Sequence, residues 1–371
     1  MIDMPFYKEG RAKIQFNEDS FLNPKALFLR DMGVALVRML GYSKSKILDP
    51  TAATGIRGIR YYLEAGAKEV TFLDINRKAY LIARKNVKAN KVNGTVLNKS
   101  IQEFANTSRE RFDVIDLDPF GSIAPDLFDI MKLCKEGTLL FLTATDTAVL
   151  CGAHEKACIK IYDAKPLHNE LCREAGIRLL LGHAARTAAK FDFGIEAILS
   201  IEYKHYFRLA LRLRRSAEDA VSSMGKLGFA EYCSKCGFIN SEKGFAPTIS
   251  SCPNCKNKLT IAGRMWLGSL YDKKYVKGLL GHLKGADTSD LKILGTVLEE
   301  LDMPFYYSIP KITKKLNKAS VSPYAVADAL KKRGFAVSRT QFDFSGIKTD
   351  ASIKDIVESI GIVFKRSSRE K

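Results

Sequence analysis

Apolar runs along the chain recur as short blocks that end in a polar or acidic residue, and each block is followed by a segment with helical spacing. The first helical segment, KALFLRDMGVALVRMLG, is entered through Asn23-Pro24 and closed by Gly41. An asparagine cap followed by proline at the first helical position is a start signal, and glycine is a stop signal. A strand, Lys46 to Asp49, leads through the turn PTAATG into the helix IRGIRYYLEAG. The unit then repeats: EVTFLDIN predicts a strand ending at Asp74, and Asn76 caps a helix running from Arg77 towards Asn90. A third strand around TVLNKS, a fourth in FDVIDLD and a fifth in GTLLFLTAT follow, each separated by room for a helix.

This alternation predicts an α/β fold with a doubly wound parallel sheet, whose ligands bind at the carboxyl ends of the strands. After a helix-rich stretch from Pro166 to Lys190, the segments GIEAILSIEYK and YFRLALRLRR follow with almost nothing between them. They must pair antiparallel, because a parallel crossover needs a dozen residues or more. An antiparallel hairpin closing a parallel sheet is characteristic of the methyltransferase variant of the Rossmann-like fold.

Composition adds a partner. The 371 residues carry 59 Lys and Arg against 41 Asp and Glu, a formal charge of +18, which points to a polyanion rather than a neutral metabolite. No apolar stretch approaches the ~18 residues of a membrane span. The start MIDMPFYKEGRAKIQF has no apolar core of a secretory signal, so a cytoplasmic protein is expected.

The first strand-to-helix turn, DPTAATGIRG, lacks the G-x-G-x-x-G that brings backbone up to a pyrophosphate. That favours a ligand without phosphates, such as S-adenosylmethionine, over NAD. Asp74, at a strand tip, is placed to accept hydrogen bonds from both ribose hydroxyls. Arg57 opens a helix on the same crevice; spacing leaves it open between a fork on the methionine carboxylate and a solvated basic residue. Arg30 and Arg60 are similar candidates.

At the end of the fourth strand, IDLDPFGS delivers a carboxylate, a proline and an aromatic ring in succession. An exocyclic base amine is a poor nucleophile because its lone pair is delocalised into the ring. Asp118 and the peptide carbonyl near Pro119 would accept its two N–H bonds, and Phe120 would stack on the base. Many amino-methyltransferases carry D/N-P-P-Y/F here; this chain has Phe120 and Gly121 at the last two positions.

Taken together, FLNPKALFLRD, LDPTAATGIRGIR, IDLDPFGS and TATDTAVLCGAH resemble the tRNA guanosine-26 N2-dimethyltransferase family, in a compact, archaeal-like form. The resemblance implies transfer of two methyl groups from two S-adenosylmethionine molecules to one guanosine. It also implies that Arg30, Arg57 and Asp74 bind the cofactor, that Asp118 contacts the guanine, and that Phe21 and Phe120 sandwich the base. Family members can carry an acid after the third strand for the adenine amine. Here the segment is NKSIQEF, so Ile101 and Gln102 would serve through apolar and backbone contacts.

Cys233-x-x-Cys236 and Cys252-x-x-Cys255, fifteen residues apart, have the spacing of a four-thiolate structural zinc ribbon. Beyond it, ITKKLNKASVSPYAVADALKKRGF followed by AVSRTQFDF resembles a winged helix, with Lys314, Lys315, Lys331, Lys332, Arg333 and Arg339 available to phosphates. The expected organisation is a methyltransferase domain over 1–215, a linker and zinc ribbon over 216–289, and a winged-helix-like, basic, tRNA-binding region over 290–371. Two other readings compete: an amino-methyltransferase for another RNA or DNA base, and a non-catalytic nucleic-acid-binding protein with a zinc ribbon and winged helix. No protein partner is implied.

Overall fold

The computed structural model describes residues 6–16, 21–283 and 287–367. The chain divides into two compact units. The first comprises Met1–Asp146, Ala184–Ser223 and Tyr271–Leu291, and the second Thr147–His183, Met224–Leu270 and Lys292–Lys371.

In the first unit a hairpin, β1 (Phe6–Glu9) and β2 (Ala12–Gln15), precedes α1 (Leu27–Met39). The strands and helices β3 (Lys46–Asp49), α2 (Ile56–Ala65), β4 (Glu69–Leu73), α3 (Arg77–Ala89), β5 (Gly94–Leu97), α4 (Ile101–Thr107), β6 (Val114–Leu117), α5 (Ala124–Lys132) and β7 (Leu139–Ala144) then alternate. β8 (Phe193–Tyr203) and β9 (Tyr206–Arg215) complete a seven-stranded sheet of order β5-β4-β3-β6-β7-β9-β8. β3 pairs in parallel with both β4 and β6, with Ile47 beside Val70 and Val114. β9 runs antiparallel to β7 and β8, as the short connection requires.

The central strands read as near-continuous apolar runs because helices cover both faces. Asn23 accepts a hydrogen bond from the Lys25 N–H and so caps the 3-10 turn Pro24–Ala26 that leads into α1, and Asn76 caps α3 directly. Two glycines set how α2 meets the sheet. Gly55 stands at φ +81° just before α2, where a Cβ is disfavoured. A Cβ on Gly58 would lie 2.2 Å from the Phe72 ring, so glycine is what lets α2 sit against β4.

In the second unit, β10 (Leu227–Tyr232), β11 (Ile239–Lys243) and β12 (Thr260–Trp266) form an antiparallel sheet of order β11-β10-β12. Trp266, the single tryptophan of the sequence, is 2% exposed at the end of β12. Its indole N–H donates to the Ser269 carbonyl at 2.9 Å. A second small sheet, β13 (Tyr307–Ser308), β15 (Gly346–Thr349) and β14 (Val337–Arg339), packs with the helices Ile309–Lys315, Pro323–Lys332 and Ile353–Ser367. Its core includes Ile312, Val326, Leu330, Ile347, Ile356 and Ile360. The order of helices, strands and connecting loop is that of a winged helix.

Two features differ from the sequence-based expectation. The β1–β2 hairpin was not foreseen. The units are also interleaved rather than divided at 215 and 289: residues 147–183 fall in the second unit and 271–291 return to the first. Composition tracks exposure, not which core a segment joins, so an excursion as apolar as its surroundings leaves no mark. No helix among the described residues is long and apolar enough to cross a membrane.

Candidate active site

Between β3 and β6 the winding of the sheet reverses, and doubly wound sheets bind ligands at such a point. There, within the first unit, lies a cavity of about 590 Å³, a size suited to a cofactor. It is lined by Phe21, Arg30, Arg57, Asp74, Ile101, Asp118, Pro119 and Phe120, so eight of the nine residues expected to act on cofactor or base meet in one space. The ninth, Gln102, is exposed and does not line it. Lys99 and Ser100, just before Ile101, line it instead, with Ile75, Asp126 and Tyr206.

Asp74 follows β4, and its two carboxylate oxygens each take one backbone N–H at 2.8 Å, from Ala53 and Asn76. Burial raises its pKa from the ordinary aspartate value, against those two hydrogen bonds. The carboxylate is thereby fixed in direction at the wall of the cavity.

Asp118 follows β6 in a loop pinned at both ends. Its N–H donates to Thr51 Oγ1 at 3.2 Å, and Gly121 bonds the Thr145 hydroxyl at 2.7 Å and the Thr145 N–H at 2.9 Å. Beneath it lies a buried charge network. Asp116, fully buried, is held in a fork by Arg208 at 2.6 and 2.9 Å, receives the Tyr61 hydroxyl at 2.6 Å, and meets Arg57 at 3.4 Å. Burial alone would raise Asp116, but Arg208 and Arg57 hold its carboxyl well below the usual range. Arg57 extends its other nitrogen to Asp118. It is therefore neither a solvated cation nor free: it bridges the two aspartates.

Arg30 is also engaged. Glu9 of β1 receives its Nε at 2.6 Å and one Nη at 2.5 Å, and the same carboxylate binds Arg60 at 2.8 Å. One buried acid of the unforeseen hairpin thus aligns two arginines, only the first of which lines the cavity. Phe21 and Phe120 meet edge to face, centroids 4.6 Å apart, and remain 52% and 76% exposed. In this arrangement they touch each other, so a base enters between them only when the rings part.

Asp49, at the end of β3, was read in the sequence only as a strand end. It is buried; one oxygen accepts the Gly58 N–H at 3.1 Å, and Oδ1 has no hydrogen-bond partner among the described residues. Burial, then the neighbouring Asp116 charge, pushes its pKa up to about 7. An orphaned carboxylate oxygen beside the cavity suits a cationic ligand, and S-adenosylmethionine carries an ammonium and a sulfonium.

The Asp49 shift also sets a pH dependence. Since its folded pKa lies above the ~3.9 of an unfolded aspartate, the stability it contributes is present below about pH 4 and lost as pH rises to about 7. Asp49→Asn keeps an acceptor for Gly58. It is expected to melt near the parent at pH 4.5 and several degrees above it at pH 8. Equal margins at both pH values in thermal melts would show that Asp49 is not a buried acid.

The four ribbon cysteines come together in the second unit, with all their Sγ atoms within 4.8 Å of one another. Each pair sits on a tight turn, Gly237 N–H donating to the Cys233 carbonyl and Lys256 N–H to that of Cys252, both at 2.9 Å. Four thiolates on two such turns fit one tetrahedral zinc ion. Cys252→Ser is expected to abolish stoichiometric zinc and to lower the melting temperature by at least about 5 °C, from several kcal/mol of lost metal-coupled folding. Affinity for S-adenosylmethionine should hold, because the cavity is built by the first unit. Metal analysis of the parent showing no zinc would refute the assignment.

Of the six basic residues expected to face phosphates, Lys314, Lys331 and Lys332 are exposed. Arg333 is committed to Asp355 and Glu358, both at 2.8 Å. Lys315 reaches the Ser234 carbonyl, and Arg339 the Tyr324 hydroxyl.

A seven-stranded sheet with its last hairpin antiparallel, a cavity at the reversal point and a strand-tip aspartate define a class I S-adenosylmethionine-dependent methyltransferase. Similarity to known proteins narrows this class. Residues 5–361 match the family described as N2,N2-dimethylguanosine tRNA methyltransferase, and the chain belongs to that family. It is 35% identical to a tRNA (guanine(26)-N(2))-dimethyltransferase of Methanothermobacter thermautotrophicus, covering 94% of each chain. It is 37% identical to the Pyrococcus furiosus protein of that name, again covering 94% of each. A solved complex of Trm1 from Pyrococcus horikoshii with S-adenosyl-L-methionine superposes with a TM-score of 0.88 at 34% identity, covering 96% of this chain and 99% of that one.

Proposed function

We infer that this chain is a tRNA (guanine(26)-N(2))-dimethyltransferase, acting in the cytoplasm on a tRNA drawn to its basic surface. The observation that carries the reading is one cavity lined at once by Asp74, Asp118, Phe21 and Phe120, in a chain of this family.

Bound S-adenosylmethionine supplies an electrophilic methyl group. Asp74 receives the ribose hydroxyls, with its orientation preset by two backbone N–H bonds. Arg30 and Arg57 offer the cationic side of the site to the methionine carboxylate. Ile101 supplies apolar contact to the adenine; Gln102, facing away, is left a backbone role. Phe21 and Phe120 part to take the guanine between them, exchanging their mutual edge contact for two stacking contacts. Asp118 and the carbonyl near Pro119 accept the N2 hydrogens, which favours a pyramidal nitrogen, and Asp118 takes the proton released as the N–C bond forms. Because Arg57 both pairs with Asp118 and lines the cavity, a carboxylate arriving at Arg57 would compete with Asp118 and free it for the base.

The test is nucleoside mass spectrometry of a tRNA transcript incubated with the protein and methyl donor. N2,N2-dimethylguanosine at position 26 is the expected product. Absence of any methylated guanosine, or modification of another base, would overturn the reading.

A further inference from the structure

A second cavity, of about 380 Å³, lies within the second unit, where the helix Pro323–Lys332 meets the loop joining β14 to β15. Tyr324 and Phe344 line it and are 61% and 83% exposed. Phe342 and Phe344 both lie in the loop between β14 and β15, where the non-repetitive backbone buries Phe342 to 3% and leaves Phe344 outward two residues later. Leaving an aromatic ring in water forgoes the burial that would otherwise stabilise it, and here two such rings flank one concavity. Arg339 ties them together: its guanidinium sits 4.7 Å from the Tyr324 centroid, donates to the Tyr324 hydroxyl, and donates to the Phe344 carbonyl at 2.7 Å. Lys331 adds a second cation, Glu299 and Asp328 add two carboxylates, and Ala327, Val337 and Ile347 are among the apolar residues of the lining.

We propose that this cavity holds an unstacked nucleobase of the tRNA, away from the base that is methylated. The chemistry fits one occupant. A nucleobase presents a π face to the two rings, N–H donors at its edge to Asp328 or Glu299, and a flanking phosphate to Lys331. A free anion has no use for the rings and is opposed by both carboxylates. An apolar protein anchor would strand four charged side chains around its seat. The candidate active site shows the same device, an exposed aromatic pair beside a cavity, in Phe21 and Phe120. The proposal rests on the tRNA reading above and extends it to a second point of grip.

The experiment measures equilibrium binding of a tRNA transcript to the full chain across a salt series, alongside methyl transfer. Tyr324→Ala and Phe344→Ala are each expected to weaken binding roughly tenfold, with the salt slope unchanged, because stacking releases no counterions. Lys331→Ala should instead lower the slope by about one. Tyr324→Phe, which keeps the ring, should bind as the parent does, and turnover at saturating tRNA should be parental throughout. A Tyr324→Ala, Phe344→Ala double variant that binds within about twofold of the parent at every salt concentration overturns the proposal. Should the variants lose tRNA affinity as expected while the parent methylates nothing, the functional reading fails and this one stands; normal methylation with unaltered binding of the double variant sinks this one alone.

Discussion

Asp118→Asn is expected to slow methyl transfer by at least ~10²-fold, the lower range for a positioned acid/base group. The amide keeps the shape of the side chain and one acceptor oxygen, so it still meets Arg57, but it loses the charge and most of the basicity. Affinity for tRNA and for S-adenosylmethionine should therefore stay close to parental, with the loss confined to single-turnover rates at saturation. Both methylations should suffer alike, since each presents an N–H to the same group. Phe120→Ala gives a contrasting signature: losing a stacking face costs ~1–3 kcal/mol of base binding, so added tRNA restores part of the rate. If Asp118→Asn reacts at near-parental single-turnover rates, the aspartate serves only as a partner of Arg57.

Arg208→Met carries the second large effect, and it falls on stability. Arg208 is 3% exposed, makes both bonds of the fork on the fully buried Asp116, also donates to Thr143 Oγ1 at 2.7 Å, and lies 4.7 Å from the Phe141 centroid. Methionine fills much of the volume and leaves Asp116 to Arg57 and Tyr61. Removing one member of a buried pair costs about 3–5 kcal/mol, a fall in melting temperature of roughly 6–20 °C at ~2–4 °C per kcal/mol. Since Asp116 has its pKa depressed, the stability it contributes is present above about pH 4 and lost as pH falls through its folded pKa. The penalty is therefore complete at pH 7, where the melt should be run. A double variant, Asp116→Asn with Arg208→Met, should lose less than the two single losses added together. A shift below about 1 kcal/mol for Arg208→Met would mean that Arg57 alone balances the charge.

How far the sequence reaches is clear from individual residues. The succession of strands along the chain was legible in apolar runs, three of them leading to Asp49, Asp74 and Asp118, because a strand covered on both faces has to be apolar throughout; their order in the sheet was not. Asp118 was legible as a strand-tip carboxylate next to an aromatic ring. Asp116 was not, although period-two alternation puts it on the same face two residues earlier; only the approach of Arg208, 92 positions along the chain, makes a buried acid tolerable there. Glu9 was illegible for the same reason. A lone glutamate in a short hairpin gives no local hint of two arginines, 21 and 51 residues away. Gln102 shows the opposite failure: a resemblance supplied a role at that position, but helical geometry turns the side chain to solvent while its neighbours Ser100 and Ile101 face the cavity.

Trp266 gives the protein a built-in optical probe of one half of itself. With no other indole in the chain, intrinsic emission at long excitation wavelength comes from the second unit alone, from a ring packed beneath the Lys226 ammonium at 5.3 Å. Fluorescence will therefore follow loss of the metal-binding half directly, and follow loss of the sheet only if the two halves melt as one. Circular dichroism sees both. Coincident transitions in the two signals would define a single cooperative block, and separated ones would assign Arg208→Met and Cys252→Ser to different steps of one denaturation curve.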